Sequence, residues 1–216
     1  MKLEIARQPL VPAFMTLFAL AVAAMCAGIP VPDTETSGAV REALPLLGGQ
    51  LARFQAAYPV WSKLAAGFML LFAGKCTGSI SVLHTHFTVG TCLPIPLYAI
   101  VACGIATGAN SLAGFAASLL LALATKNYCR AFCNGYGFDA IFRASLYLGL
   151  MPLIYAPALP LLLLLPLAVL LFRRTFREVV VATAVLLLPI FPACYVSWGS
   201  GAEFTAQLFT LGQSGV

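Results

Sequence analysis

Charged residues are scarce in this chain. Only 9% of its 216 residues are Asp, Glu, Lys or Arg, whereas a soluble domain carries about 25%. Hydrophobic residues make up 61% of the sequence, and the mean hydropathy is +0.96. A soluble fold would have too few polar side chains to cover its surface, so the composition predicts a membrane protein.

Strict alternation of apolar and polar residues is also missing, which excludes the strands of a membrane β-barrel. The apolar residues instead form blocks of about 15–20, close to the ~20 that cross a ~30 Å hydrocarbon layer as a helix. We therefore expect an all-α, polytopic transmembrane helical bundle, built as a single domain over residues 1–216. The seven predicted spans cover approximately residues 10–29, 58–74, 90–107, 111–125, 140–156, 158–172 and 179–196.

The fifth and sixth spans could form one long helix, because Phe138–Phe172 carries no charge except Asp139 and Arg143. At about 1.5 Å per residue that helix would be about 50 Å long, well over the ~30 Å layer. Pro157 and Pro160 each remove a backbone donor and bias the preceding residue away from helix. We expect a hairpin there, with one kinked helix as the alternative.

The placement of basic residues predicts the topology. If the N-terminus is cytoplasmic, nine Lys and Arg residues lie inside and three outside, as the positive-inside rule requires. The C-terminus then lies outside, and the location is the bacterial inner membrane. The first span could be a cleaved signal peptide, because Lys2 and Arg7 precede it, but its apolar run exceeds the 7–15 residues usual there.

An outer loop, residues 33–57, separates the first two spans. Its apolar residues recur at alternating spacings of four and three, which predicts one apolar helical face lying on the outer membrane surface. Pro45 and Gly48 interrupt the pattern, so we expect two pieces, with a solvated linker as the alternative. The residues of this face are Val40, Leu44, Leu47, Leu51, Phe54 and Tyr58.

His84 and His86 stand between Cys76 and Cys92. In an extended segment residues two apart point to the same side, so both imidazoles could reach one metal ion. No HExxH motif and no nearby carboxylate accompanies them. The favoured interpretation is a loop between spans, with a metal site or a proton-handling role as alternatives, and we expect no cofactor.

Two pairs of opposite charges have the i,i+4 spacing that places them on one helical face: Asp139 with Arg143, and Arg174 with Glu178. They stand where the fifth and seventh spans start. Charges near hydrocarbon are costly and usually paired. We predict two structural ion pairs, the first partly buried, and keep a substrate or lipid-headgroup site as the alternative.

Asp33 and Glu35 follow the first span directly. Two carboxylates at the membrane surface could hold a divalent cation or act as a base on a lipid-linked substrate. They are the sequence's candidate catalytic residues, although ordinary loop charges are the simpler interpretation.

The segment Asn127–Pro192 has a distinctive order of features: Phe138-Asp139 opening a span, a proline hairpin, Arg177-Glu178 and a closing proline. Together with Thr91–Val101, it resembles a family of uncharacterised inner-membrane proteins of the Bacteroidota. The resemblance covers about the last two-thirds of the chain and implies a multi-pass membrane protein without an established activity.

The general layout is also similar to the membrane module of C-type glycosyltransferases, which use lipid-phosphate sugar donors. The shared layout is a first span, an acidic residue at its outer end, surface helices, and further spans to a total of seven. Asp33 or Glu35 would then correspond to the acidic motif.

These patterns do not decide whether the protein is an enzyme. We expect a non-enzymatic envelope or assembly component. A glycosyltransferase-like enzyme acting on a lipid-linked substrate is the alternative, and a transporter or transporter subunit is the second alternative. The expected partners are membrane lipids, together with other envelope proteins or a lipid-linked substrate, and not nucleic acid.

Overall fold

The computed structural model describes residues 15–19, 22, 46–83, 95, 97–98, 100–101, 111–133, 137–155, 158–162, 176–199 and 201. Within these ranges the regular structure is all helix, with no strand, which confirms the predicted all-α class there. The main helices are α1 (Leu46–Ala57), α2 (Pro59–Leu83), α3 (Ser111–Cys133), α4 (Phe138–Ile154), α5 (Phe176–Leu187) and α6 (Ile190–Gly199).

Two stretches of the described chain are long and apolar enough to cross a membrane, Leu112–Ala131 in α3 and Phe176–Gly199 over α5 and α6. A turn at Leu188 and Pro189 separates α5 from α6. Helix α4 has 17 residues, so it is about 26 Å long and falls short of the ~30 Å layer. The count of seven spans therefore stays a prediction.

Two helices run further than the predicted spans. Helix α2 continues nine residues beyond the predicted end at 74, so the first part of the segment assigned to a loop is helical as far as Leu83. Helix α3 continues beyond 125 to Cys133. Lys75 and Lys126 directly follow the predicted ends, but lysine has a good helix propensity and does not terminate a helix.

Several serine and threonine side chains within these helices bond to the backbone of their own helix. Ser62 donates to the carbonyl of Pro59 at 2.8 Å, Ser145 to that of Ile141 at 2.8 Å, and Thr183 to that of Val179 at 2.9 Å. Such bonds leave each hydroxyl donor paired without a partner on another helix. These serines and threonines are therefore compatible with an apolar environment.

Helices α2 and α3 pack side by side and run in the same direction. Ala66 and Leu70 share a core cluster with Leu112 and Phe115. Further along both helices, Ala73 and Cys76 share another with Ala122. Later residues of α2 therefore meet later residues of α3, as in a parallel pair of helices.

Helix α4 returns antiparallel to α3, since only residues 134–136 separate Gly137 from the end of α3 and the two helices pack along their lengths. Helices α5 and α6 then run parallel to α4, because Gly149 lies against Leu186 and Leu153 packs with Ala193. The C-terminal ends of α2 and α3 therefore lie at the same end of the bundle as the N-terminal ends of α4 and α5.

Small residues form much of the core. Alanine accounts for half of the buried apolar side chains, including Ala131, Ala144 and Ala182, each 0% exposed. Small residues let helix backbones approach closely, as helix interfaces in membranes require. Large apolar side chains point outward instead, among them Phe68 at 71% and Phe176 at 79% exposure.

Helix α1 forms where an amphipathic helix was predicted, but of the described residues of the predicted face only Leu47 and Leu51 pack in the bundle. Leu47 packs beside Leu153 and Ala193, while Gln55 is buried and Phe54 and Tyr58 are exposed. The helix packs against α2, α3 and α4, and its predicted position on the outer membrane surface stays a prediction. The earlier part of the predicted face, Val40 and Leu44, lies outside the described residues.

Helix α4 continues through Pro152 and ends at Ile154, just before Pro157. The N–H of Ala158 then bonds to the carbonyl of Tyr155 at 3.1 Å, and Ala158 packs in the same core cluster as Leu148 and Met151. The chain therefore leaves the helical path where the prolines predicted a break. Residues 163–175 lie outside the described ranges, so the hairpin stays a prediction.

Candidate functional site at the basic end of the bundle

Basic side chains gather at one end of the bundle, which we call the basic end. It comprises the C-terminal halves of α2 and α3 and the N-termini of α4 and α5. Of the seven described Lys and Arg residues, two lie towards the opposite end, Arg53 and Lys63. The five at the basic end are Lys75, Lys126, Arg130, Arg143 and Arg177.

Packing supports this grouping across helices. Cys76 on α2, next to Lys75, packs in one core cluster with Ala122 on α3, four residues before Lys126, so the two lysines lie near the same level of the bundle. The basic end is therefore a feature of the folded chain as well as of its sequence.

The structure brings Asp139 and Arg143 together in the first turns of α4. Arg143 Nη2 lies 3.1 Å from Asp139 Oδ2, and Arg143 Nε donates to Oδ1 at 3.2 Å. The Arg143 side chain is 55% exposed and the Asp139 side chain is 73% exposed. The expectation of a partly buried pair was wrong, because the shared face of the two residues points away from α3 and α5.

Glu178, in the first turn of α5, is buried instead, with 6% of its surface exposed. Its Oε2 atom has no hydrogen-bond partner in the part of the chain that the structure describes. Arg174, the predicted partner of Glu178, lies outside that part, so the second ion pair stays a prediction. Arg177, the neighbouring residue, is exposed.

The position of Glu178 follows from the parallel packing of α5 on α4. It lies eight residues, or about 12 Å, before Leu186, which is in contact with Gly149. Eight residues before Gly149 on α4 is Ile141, at the corresponding distance along that helix. Ile141, Ala144 and Ala182 are buried in one core cluster, to which α4 and α5 both contribute.

Chemically, this arrangement is a single buried carboxyl group with one open acceptor site. An ionised carboxylate away from water is costly unless it is paired and hydrogen-bonded. The open oxygen can therefore accept a hydrogen bond from a donor. Among the described residues no group of three or more His, Cys, Asp and Glu side chains could hold a metal ion.

The other candidate residues from the sequence lie outside the described ranges. This applies to Asp33 and Glu35 and to His84 and His86. The interpretation of each as loop residues, and its chemical alternatives, therefore stay predictions.

Sequence reasoning missed the role of Gln55. Its Oε1 accepts from the backbone N–H of Leu112 at 3.4 Å, one of the amides in the first turn of α3 that have no partner within their own helix. Gln55 is 7% exposed. Its position one residue after Phe54, off the apolar face, suggested a solvent-facing side chain and gave no sign of this contact.

A small polar chain crosses from the 95–101 segment to α3. The hydroxyls of Tyr98 and Ser118 lie 3.2 Å apart, and Ser118 donates to the carbonyl of Phe115 at 2.9 Å. The Tyr98 hydroxyl therefore donates to the Ser118 hydroxyl, which in turn donates to the backbone carbonyl of Phe115. This chain satisfies its own donors and joins the two segments.

The opposite end of the bundle, which we call the aromatic end, carries exposed aromatic rings. Phe54 and Tyr58 have ring centroids 5.6 Å apart, and those of Tyr195 and Trp198 lie 5.8 Å apart. Trp61 and Tyr155 are exposed there too. Tyr and Trp are enriched where a membrane meets water, because each ring has an apolar body and a polar tip.

Comparison with known proteins identifies no relative. No family model, curated protein or solved structure matches this chain.

Proposed function

We propose that the chain is a seven-span protein of the bacterial inner membrane, with its basic end in the cytoplasm and its aromatic end at the outer face. Its proposed role is that of a non-enzymatic envelope or assembly component, in contact with membrane lipids and with other envelope proteins.

This proposal rests on the different side chains found at the two ends of the bundle. Five of the seven described basic residues lie at one end, and paired aromatic rings lie at the other. Between them, exposed side chains such as Phe68 and Phe72 are apolar. Basic residues favour the cytoplasmic side, aromatic residues the interface and apolar residues the lipid.

The non-enzymatic role is favoured by the placement of the carboxylates. The described part of the chain holds two, and both belong to the basic end: Asp139 pairs with Arg143, and Glu178 is buried. The described part of the aromatic end therefore offers no carboxyl group to a substrate outside. A glycosyltransferase-like activity there would depend on Asp33 or Glu35.

Burial of Glu178 favours a transporter as the second candidate function. Ionisable residues buried within membrane helices commonly mark ion or proton pathways. For this function Glu178 would be the indispensable carboxyl group, whereas an envelope component would not need its charge.

Complementation of a deletion strain distinguishes these functions. The readout is envelope permeability, which we expect to rise in the strain and to return to normal with the wild-type chain. Under the proposed role, Asp33→Ala combined with Glu35→Ala restores the barrier, and so does Glu178→Gln. Failure of the double variant would support the glycosyltransferase alternative, and failure of Glu178→Gln would support transport. Membrane levels of each variant, measured by immunoblot, separate loss of function from loss of protein.

A further inference from the structure

A stripe of residues on α3 changes from apolar to cationic towards the basic end. Its members recur three and four residues apart, the spacing that places side chains on one helical face. They are Leu119, Ala122, Leu123, Lys126 and Arg130. Ala122 is buried against Ala73 and Cys76 of α2, and both leucines pack beside them. The two cations therefore continue the side of α3 that meets α2.

No carboxylate on these two helices balances the cations. The sequences of α2 and α3 contain four basic residues and no acidic residue. The residues of α2 that follow its contact with Ala122 by one turn are Thr77 and Ile80, which carry no charge. Within the described chain Lys126 and Arg130 have no ion-pair partner, and like charges four residues apart repel each other. An anion beside the stripe would offset this repulsion.

We propose that the stripe binds an anionic phospholipid, with the phosphodiester at Lys126 and Arg130 and an acyl chain along Leu119 and Leu123. The proposal rests on the proposed membrane location. Both cations stand in the last two turns of Leu112–Ala131, a stretch long and apolar enough to cross a membrane. Basic side chains near the end of such a stretch extend to the headgroup level. Lys126 is half-buried and Arg130 is exposed, which leaves the cationic part of the stripe accessible to a headgroup.

A phospholipid suits this surface better than a free phosphate ion. Leu119 and Leu123 are half-buried, so each keeps apolar surface beside the cations that an inorganic ion would leave uncovered. One amphiphilic molecule covers both parts of the stripe. Basic groups between membrane helices on the cytoplasmic side bind anionic lipid headgroups by this combination of charge and position.

Lipid selection by the purified full-length protein tests the proposal. Native mass spectrometry measures how much phosphatidylglycerol and phosphatidylcholine the protein retains from an equimolar mixture in nonionic detergent. Each basic residue near an anionic lipid surface strengthens binding roughly fivefold, so two should give a preference of about 25-fold for phosphatidylglycerol. Lys126→Gln combined with Arg130→Gln should lower the preference by that factor. Arg53→Gln combined with Lys63→Gln is the matched control, because it also removes one exposed and one half-buried cation, and should leave the preference unchanged.

The single variant Arg130→Gln changes an exposed position and should lower the preference about fivefold. The test therefore does not depend on the folding of the double variant. An equal loss in the control double variant would overturn the proposal, because net charge rather than this stripe would then select the lipid. Displacement of phosphatidylglycerol by glycerol phosphate at equal concentration would also overturn it and would identify a site for soluble phosphates.

Two further results would contradict the proposal. A preference that arises only in Glu4→Gln would show that an acidic side chain of the protein itself occupies the stripe. Equal retention of both lipids would show that the stripe does not select charge, while leaving the membrane location intact. Retention of neither lipid would contradict the membrane location as well, so the two failures are distinguishable.

Discussion

Gly149 in α4 lies directly against the backbone of Leu186 in α5. A Cβ atom at position 149 would overlap the carbonyl oxygen of Leu186, and its next neighbours are the carbonyl carbon and Cα of the same residue. These are backbone atoms, which cannot move aside as the end of a flexible side chain would. The contact therefore determines how closely the two helices approach.

Gly149→Ala should destabilise the protein by about 1–3 kcal/mol, the usual cost of forcing extra volume into a packed core. The measurement is the free energy of unfolding in mixed detergent. Gly199→Ala is the matched control, because a Cβ there meets nothing within 4 Å. Equal stability of Gly149→Ala and the wild type would show that α4 and α5 do not pack as described.

Gln55→Ala should loosen the start of α3. The substitution removes the acceptor of the Leu112 N–H, and a typical hydrogen bond contributes about 0.5–1.5 kcal/mol. We expect faster hydrogen exchange at the Leu112 amide and a lower unfolding free energy. Gln50→Ala, at an exposed position of the same helix, should change neither. Unchanged exchange in Gln55→Ala would contradict the capping role.

The Asp139–Arg143 pair should contribute little to stability. Both side chains are more than half exposed, and an exposed i,i+4 pair contributes about 0.3–0.5 kcal/mol. A double-mutant cycle with Asp139→Ala and Arg143→Ala should therefore give a small coupling energy that falls further at high salt. A coupling of several kcal/mol would show that the pair is buried in the native membrane.

Features set by neighbouring residues could be predicted from the sequence, whereas contacts between residues far apart in the chain could not. Helix type, the break after Ile154 and the meeting of Asp139 with Arg143 depend on spacing within a few residues, so periodicity and proline placement indicate them. The bond from Gln55 to Leu112 joins residues 57 apart in the chain. The burial of Glu178 depends on which face of α5 meets α4. Neither this bond nor this burial is indicated by a pattern of neighbouring residues in the sequence.

The same distinction explains the errors at α1 and at the ion pair. The apolar face of α1 was inferred as if the helix lay alone on a membrane, but contacts with three other helices turn Gln55 inward. Asp139 and Arg143 were expected to be partly buried because they start an apolar span. Their shared face, however, is opposite to the one formed by Ile141, Ser145 and Leu148, which is buried in the bundle.

The two tryptophans provide a natural measure of depth in the membrane. The chain has only Trp61 and Trp198, and both are exposed at the aromatic end. In liposomes, lipids brominated near the headgroup should quench both more strongly than lipids brominated deep in the chains. Trp61→Phe and Trp198→Phe separate the two signals. Stronger quenching of either by deep bromines would contradict a shared interfacial position.

Sidedness tests the central claim most directly, since the account has one end of the bundle in the cytoplasm and the other outside. Single cysteines are introduced as Arg130→Cys at the basic end and Trp198→Cys at the aromatic end, in a chain whose seven native cysteines are replaced. The cells are then treated with a membrane-impermeant maleimide. We predict that Trp198→Cys is labelled in intact cells and that Arg130→Cys is labelled only after the membrane is opened. Labelling of Arg130→Cys in intact cells, with Trp198→Cys protected until lysis, would contradict the account.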